Sequence, residues 1–166
     1  RRGTRNPSPM QLHPIAQDGT VDLAGAEPNA VLKDVVDATV ALYGRVGFVP
    51  PWIGYVAVDA GRAVGSCGFA APPATDEAEI AYFTFPGNEG HGVATRMATA
   101  LIALSLDAAR IQRVEFVAHT LPVESPSTSI LAKLGFKWLG AIQHPEDGEV
   151  WKWKRHDGDA AQLARS

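Results

Sequence analysis

The sequence predicts a mixed α/β fold, with a central sheet of parallel and antiparallel strands and with helices on both faces. Segments with helical and with strand-like patterning alternate along the chain. Two strand pairs are joined by short turns typical of β-hairpins, which pair strands antiparallel. A strand at 78–85 runs through a glycine-rich turn directly into a long helix. The two hairpins exclude a purely parallel, doubly wound sheet.

The predicted order is helix, hairpin, strand, helix, strand, helix and hairpin. The first helix lies in AEPNAVLKDVVDATVALYGRVGF, where apolar residues recur at helical spacing between Pro28 and Gly44. The later helices are predicted at 93–110 and in SPSTSILAKLG, which Gly135 ends. The predicted strands are 52–59, 62–69, 78–85, 111–120, 136–143 and 149–155. Ala60-Gly61 joins the first hairpin, and HPEDG joins the last.

The composition favours one globular domain in the cytoplasm. Of the 166 residues, 46% are hydrophobic and 20% are charged, and the lone Cys67 permits neither an internal disulfide nor a cysteine-rich zinc site. A net charge of −3 argues against nonspecific nucleic-acid binding, and no apolar run is long enough to span a membrane. We expect a single domain at 10–155, between a flexible arm at 1–9 and a flexible tail at 156–166.

The most informative stretch is the turn GNEGHG at 87–92, which stands between a strand and a helix. Its glycines can adopt positive φ and let a ligand approach the backbone closely. The first N–H groups of the following helix have no partner within the helix, and the helix dipole adds to their attraction for anions. The turn therefore predicts a pyrophosphate site held by backbone amides from about His91 to Thr95.

Two other phosphate sites are excluded by their neighbouring residues. A nucleoside-triphosphate loop ends in Gly-Lys-Ser/Thr, whereas Val93 and Ala94 follow Gly92. A dinucleotide site requires an acidic residue at the end of the next strand, but that strand ends in VAHTLP.

The turn resembles the Arg/Gln-x-x-Gly-x-Gly/Ala signature of the GNAT superfamily of acetyl-CoA-dependent N-acetyltransferases. The glycines at 90 and 92 match, and Gly87 replaces the basic or amide residue. Four further strings resemble the branch of the ribosomal-protein-alanine acetyltransferases. They are PPWIGYVAVDAGRAVGSCGF, AEIAYFTFPGNEGHGVATRMATALI, AHTLPVESPSTSILAKLGF and PEDGEVWKWKR, and they cover most of residues 50–155 in order.

The resemblance implies the GNAT fold, a V-shaped mixed sheet that splays between its fourth and fifth strands. Acetyl-CoA would be the cosubstrate. Its acetyl-pantetheine arm would lie in that split, paired with the backbone of Tyr82 to Phe85, and the acceptor amine would arrive from the opposite side. No metal is expected. The residues expected to hold the cofactor are Phe83, Thr84, Phe85, Gly90, His91, Gly92, Val93, Ala94, Thr95 and Ser127.

Transfer of an acetyl group to an amine needs a base for the ammonium and a donor for the leaving sulfur. Glu79 begins the fourth strand at the position of the catalytic glutamate in histone-type relatives, so we expect either a base or a carboxylate that binds the cationic substrate. The family's usual acid, a tyrosine, is replaced by Leu131. Ser127 matches the serine of the family's Asn-x-x-Ser motif, in which Glu124 replaces the asparagine. This serine either protonates the thiol or caps the short helix.

Tyr82 and His119 are the further candidates. Tyr82 either serves as an acid or packs in the sheet, and His119 either relays protons near the split or has a structural hydrogen bond. The sequence thus predicts direct acetyl transfer, within a ternary complex, to a primary amine, which is a peptide or protein N-terminus or a small amine. The alternative is a regulatory acyl-CoA-binding protein with weak activity, motivated by Leu131 and Glu124. Both a monomer and a homodimer remain open.

Overall fold

The computed structural model describes residues 10–155, so the predicted arm at 1–9 and tail at 156–166 lie outside the described residues. Over this range no helix is long and apolar enough to cross a membrane. The strands are β1 (Gln11–Pro14), β2 (Gly54–Asp59), β3 (Arg62–Phe69), β4 (Glu77–Thr84), β5 (Glu115–Thr120), β6 (Lys137–His144) and β7 (Gly148–Arg155). The helices are α1 (Leu32–Val46), α2 (Val93–Gln112) and α3 (Pro126–Lys133).

All seven strands form one sheet in the order β1-β2-β3-β4-β5-β7-β6. Only β4 and β5 pair in parallel, and every other neighbouring pair is antiparallel. Both hairpins are present, and Ala60 and Gly61 both have positive φ, as a two-residue hairpin turn requires. The predicted mixed sheet is confirmed.

The helices lie on opposite faces of the sheet, as predicted. A Cβ added to Gly54 would lie 2.9 Å from Thr39 of α1, whereas one added to Gly65 would lie 2.7 Å from Met97 of α2. Tyr82, which is on the Gly65 face by the β3–β4 register, bonds Ser127 of α3. We call the side with α1 the acceptor face and the side with α2 and α3 the cofactor face.

Strand β1 is absent from the sequence prediction because it has only four residues, QLHP, and one of them is a proline, which is rare in strands. It forms by pairing with β2, from which it takes its register. Tertiary pairing thus creates a strand that local preference does not indicate.

Two predicted boundaries are wrong. Helix α2 continues to Gln112 and ends at Arg113 in the left-handed conformation, so β5 begins at Glu115 instead of residue 111. Helix α1 continues through Gly44 and ends at Gly47, whose φ of 97° and N–H bond to the Tyr43 carbonyl are typical of a helix C-terminus. The second of two nearby glycines therefore ends this helix.

Glycine at position 65 allows α2 to pack closely on β3. A Cβ there would lie 2.7 Å from Met97 Sδ and 2.7 Å from the Phe83 carbonyl oxygen. Met97 and Leu101 of α2 are fully buried in the core. The spacing between this helix and the sheet therefore leaves no room for a side chain.

We expect Gly65→Ala to lower the free energy of unfolding by about 1–3 kcal/mol, because the added methyl overpacks the core and meets fixed backbone. Gly44→Ala is the matched control. Its added Cβ would meet nothing within 4 Å, so this change within α1 should raise stability by about 0.5–1 kcal/mol. Urea unfolding of the three proteins measures both effects, and equal stability of Gly65→Ala and the parent would contradict the packing argument.

Candidate active site

Strands β4 and β5 separate within the sheet, and this split is the centre of the site. Their parallel pairing covers Glu77 to Glu79 on one strand and Glu115 to Val117 on the other. Beyond that point β4 continues to Thr84 beside β3, while β5 continues to Thr120 beside β7. The predicted splay is therefore present, with Glu79 at its vertex.

The backbone groups of β4 that face the split belong to its even-numbered residues. Ala70 N donates to Glu79 O and Phe85 N donates to Val64 O, so odd-numbered residues bond β3. Because these groups alternate in direction along a strand, the N–H and C=O of Tyr82 and Thr84 point away from β3, toward the split.

Phe85 does not fit its predicted role as a backbone partner of the thioester arm. Its N–H bonds Val64, its carbonyl accepts from Asn88 N, and its side chain is fully buried. Phe83 also directs its backbone to β3, and its side chain is 48% exposed on the acceptor face. Of the predicted strand residues, Tyr82 and Thr84 have backbone groups that face the split.

The start of α2 presents unpaired amides beside the loop, as predicted. Gly92 takes the left-handed conformation before the helix, and no side chain caps it. Within residues 10–155, the N–H groups of Val93, Ala94 and Thr95 donate to no protein acceptor. The first turn also contains no acidic residue. These amides and the helix dipole form a site suited to a phosphate group.

The rest of the glycine-rich turn keeps this helix start open. Gly87 and Gly90 have φ of 90° and 81°, with no neighbour where a Cβ would be. The carboxylate of Glu89 accepts from Gly87 N, and the side chain of His91 is exposed. Arg96 in the first turn of α2 is committed to Asp59 at 2.8 Å, which joins the helix to the end of β2. Phosphate recognition there therefore depends mainly on backbone.

Ser127 and Tyr82 meet on the cofactor face. Their hydroxyl oxygens are 3.1 Å apart, and burial of Tyr82 raises its pKa above the ordinary value, although the Ser127 hydrogen bond opposes this. The phenol is therefore protonated at neutral pH. The capping role considered for Ser127 is wrong, since Ser125 caps α3 in a capping box with Thr128. Ser127 is left free for Tyr82 and for a ligand.

Glu79 and His119 meet on the acceptor face, at the vertex of the split. His119 Nδ1 lies 2.9 Å from Glu79 Oε2, with the side chains 14% and 30% exposed. The oxygen lies outside the direction that a ring N–H can use, so Nδ1 is buried without a regular hydrogen bond. The sequence prediction placed both residues near the split, and the structure brings their polar atoms together.

His144 joins this pair and was not predicted. It lies at the end of β6, and its ring centroid is 5.3 Å from that of His119. One polar atom from each of Glu79, His119 and His144 lies within 4.8 Å of the others. No local motif indicates this residue, because its position depends on the pairing of β6 with β7 and of β7 with β5.

Within residues 10–155 Glu79 has no lysine partner, unlike Glu77 and Glu115 on the same face of the sheet. Glu77 binds Lys152 and Lys154, and Lys154 also lies 3.2 Å from Glu115. Burial tends to raise the pKa of Glu77, but hydrogen bonds from both lysines outweigh it and the net shift is downward. The neighbouring lysines are thus occupied, and the negative charge of Glu79 faces a histidine.

A cavity of about 210 Å³ lies beside Glu79 on the acceptor face, between α1 and the sheet. It follows β4 from Ala81 to Phe83, the next residues after Glu79 that point to this face. Among the residues that the structure describes, none of those that line it is charged. Its lining is mostly apolar and includes Ile15 and Leu42. Thr39 and Ser66 add uncharged hydroxyl groups.

Cys67 lies opposite Tyr82 in the β3–β4 register and lines the cavity on the acceptor face, whereas Glu124 lies elsewhere. Cys67 is 5% exposed, and burial raises the pKa of its thiol to about 12, so a thiolate nucleophile is excluded at neutral pH. Glu124 is exposed and lines a separate cavity between α3 and the last hairpin, beside Trp138 and Trp151.

The comparisons with known proteins agree with this geometry. The model of the acetyltransferase (GNAT) domain family matches residues 34–137. A comparison with curated protein sequences finds no significant match.

Similar solved structures include the apo form of RimL, the ribosomal L7/L12 alpha-N-protein acetyltransferase, with a TM-score of 0.62, 17% identity, and coverage of 89% of this chain and 93% of that chain. An acetyl transferase from Salmonella typhimurium, which modifies the N-terminal serine of ribosomal protein L7/L12, has a TM-score of 0.55, 21% identity and coverage of 74% and 72%. The microcin C7 self-immunity acetyltransferase MccE, in complex with acetyl-CoA and AMP, has a TM-score of 0.58, 16% identity and coverage of 75% and 69%.

At these identities the structural likeness establishes the fold alone, and the family model establishes the family. It covers most of α1, the split, the glycine-rich turn and α3, and so includes Glu79, Tyr82, His119 and Ser127, whereas His144 lies beyond it. The chain belongs to the GNAT acetyltransferase family and is an acetyl-CoA-dependent N-acetyltransferase.

Proposed function

We propose that this enzyme transfers acetyl directly from acetyl-CoA to a primary amine within a ternary complex, with Glu79 as the base. The observation that carries the proposal is the position of Glu79 at the vertex of the split. Its carboxylate is on the acceptor face, whereas the free helix amides and the Tyr82–Ser127 pair are on the cofactor face. Two substrates approaching from opposite faces would meet at this vertex.

The cofactor face fits a CoA molecule in two places. The unpaired amides of Val93, Ala94 and Thr95 would hold the pyrophosphate, and the free backbone groups of Tyr82 and Thr84 would hold the pantetheine arm. When bound, acetyl-CoA supplies an activated acetyl thioester. Gly90, Gly92 and His91 shape the entrance to the helix amides, and the hydroxyl of Thr95 is available to a phosphate.

On the acceptor face, Glu79 and His119 would receive the proton of the incoming ammonium. Within residues 10–155 the carboxylate has no lysine partner, and a turn of the His119 ring, whose Nδ1 is 2.9 Å away, would align it to pass a proton onward. On the cofactor face, the protonated Tyr82 phenol and Ser127 can donate to the departing sulfur. The alternating directions of side chains along β4 thus separate proton removal from proton donation.

The acceptor we infer is a primary amine with an adjacent apolar group of modest size. The cavity beside Ala81 and Phe83 has no charged lining, so an apolar substituent would be buried there while the amine stays at Glu79. Both a peptide or protein N-terminus with a small apolar first residue and a small aliphatic amine meet this requirement. A panel of such amines with acetyl-CoA, monitored by release of free thiol, tests the activity directly.

We expect Glu79→Gln to reduce kcat/KM for the best acceptor by about 10²- to 10⁴-fold, because the amide cannot take a proton. This loss of kcat/KM should become smaller as the pH approaches the pKa of the acceptor amine, since the neutral amine is then already present. Glu77→Gln is the matched control. It lies two residues away on the same face but holds lysines, so activity per folded molecule should persist. A Glu79→Gln enzyme with full activity at neutral pH would exclude the base role.

We expect Tyr82→Phe to lower kcat by about 10²-fold or more while CoA affinity by calorimetry changes little, because the buried phenol is the proton donor nearest Ser127. Ser127→Ala should lower kcat less and leave the unfolding temperature unchanged. Ser125→Ala, which removes the helix cap, should instead cost about 1 kcal/mol of stability. Unchanged kcat in both Tyr82→Phe and Ser127→Ala would remove this pair from the chemistry.

The alternative, a regulatory acyl-CoA-binding protein, predicts different results for the same purified proteins. It requires tight CoA binding by calorimetry, no thiol release with any amine, and no effect of Glu79→Gln on any activity. The orientation of Ser127 toward Tyr82 supports the enzyme, since the site retains a pair of donors although Leu131 replaces the family tyrosine.

A further inference from the structure

We propose that Glu79, His119 and His144 form a binding site for a divalent transition-metal ion such as Zn²⁺, on the acceptor face. The three residues come from β4, β5 and β6, and each offers one ligand atom within 4.8 Å of the others. Two imidazoles and one carboxylate are a ligand set that Zn²⁺ binds in proteins with one position left open. Binding of the ion rests on this geometry, and its effect on acetyl transfer rests on the proposed function.

The spacing of Glu79 and His119 fits a common ion. Their Oε2 and Nδ1 atoms are 2.9 Å apart. Two ligands at bond lengths of about 2.0–2.1 Å from one ion are this far apart when the angle between them is about 90°. If side-chain rotation moves the two atoms about 0.4 Å further apart, the angle between the two ligands at the ion becomes tetrahedral at the same bond lengths.

His119 Nδ1 is a buried polar atom with no hydrogen-bond partner in the part of the chain that the structure describes. Such an atom carries a desolvation cost unless a further partner satisfies it. The nearby carboxylate oxygen lies outside the direction of a ring N–H, so the lone pair of a neutral ring is available to an ion between the two residues.

His144 is oriented so that its other ring nitrogen is free. Its Nδ1 accepts from Glu146 N and Asp147 N in the β6–β7 turn, and it lies 3.5 Å from Asp147 Oδ2. Nε2 is therefore the atom left for the site. Ligation through Nε2 would move its proton to Nδ1, so the two backbone N–H groups would have to turn away from Nδ1, which would then donate to the Asp147 carboxylate 3.5 Å away. A carboxylate behind a ligating histidine is a usual outer partner.

The donor set selects the class of ion. Imidazole nitrogens favour Zn²⁺, Co²⁺ and Ni²⁺, whereas Mg²⁺ and Ca²⁺ prefer oxygen ligands throughout. Cys67 is buried and offers no competing thiolate. An ion bound here would engage the carboxylate that receives the amine's proton, so it would compete with the acceptor and not with acetyl-CoA.

Titration calorimetry of the full chain with Zn²⁺, in the absence of both substrates, tests the site. We expect one ion per chain and a raised unfolding temperature, with no response to Mg²⁺. His144→Ala should weaken Zn²⁺ binding by about 10- to 100-fold or more, and Asp147→Asn should weaken it less. His91→Ala is the matched control for loss of an exposed histidine and should bind Zn²⁺ as the parent does. Binding that is absent in the parent, or equally strong in His144→Ala, would overturn the proposal.

The second measurement follows acetyl transfer at increasing Zn²⁺, with each variant compared with its own metal-free rate. We expect inhibition that higher acceptor concentrations relieve and higher acetyl-CoA concentrations do not, and a weaker relative effect in His144→Ala. Inhibition of equal strength in both proteins would exclude this site as its cause. An inactive parent that still binds Zn²⁺ through His144 would reject the proposed function and retain the metal site.

Discussion

The end of the pairing between β4 and β5 after Glu79 and Val117 is the constraint on which the site depends. Each strand keeps its other neighbour, so the sheet remains continuous on both sides of the gap. The unpaired backbone groups of Tyr82 and Thr84 then require water or a ligand, because an unsatisfied amide is costly once it is buried. A cleft made in this way favours an extended, amide-containing ligand.

In the proposed mechanism the same strand separates proton removal from proton donation. Glu79 points to one face and Tyr82, three residues later, to the other, so charge on the acceptor and charge on the leaving group are met by different groups. The two environments differ in kind. Tyr82 is held neutral by burial, whereas Glu79 lies beside a histidine and among carboxylates whose lysine partners are already taken.

Local chemistry made part of the fold and of the candidate site predictable from the sequence. The glycine-rich turn, the free amides after Gly92 and the two hairpins follow from backbone preferences within a few residues. Ser125 and Ser127 show the limit, since either serine suits a cap and only the three-dimensional hydrogen bonds distinguish them. Strand β1 and His144 could not be located, because each takes its position from pairing with a strand remote in the sequence or from a chain of such pairings.

The position of His144 affects how well the acceptor face distinguishes an ammonium group from a metal ion. A carboxylate that must attract an ammonium also attracts metal ions, and a single neighbouring histidine limits how tightly an ion is held. A second histidine at the end of β6 adds a ligand that direct proton removal by Glu79 does not require. The hairpin that brings it there, β6 with β7, lies at the edge of the sheet, beyond the strands that form the split. In the proposed mechanism acetyl transfer depends on β4 and β5, whereas the proposed metal site depends also on the outermost strand. A change in that strand would then alter metal binding while the split stays intact.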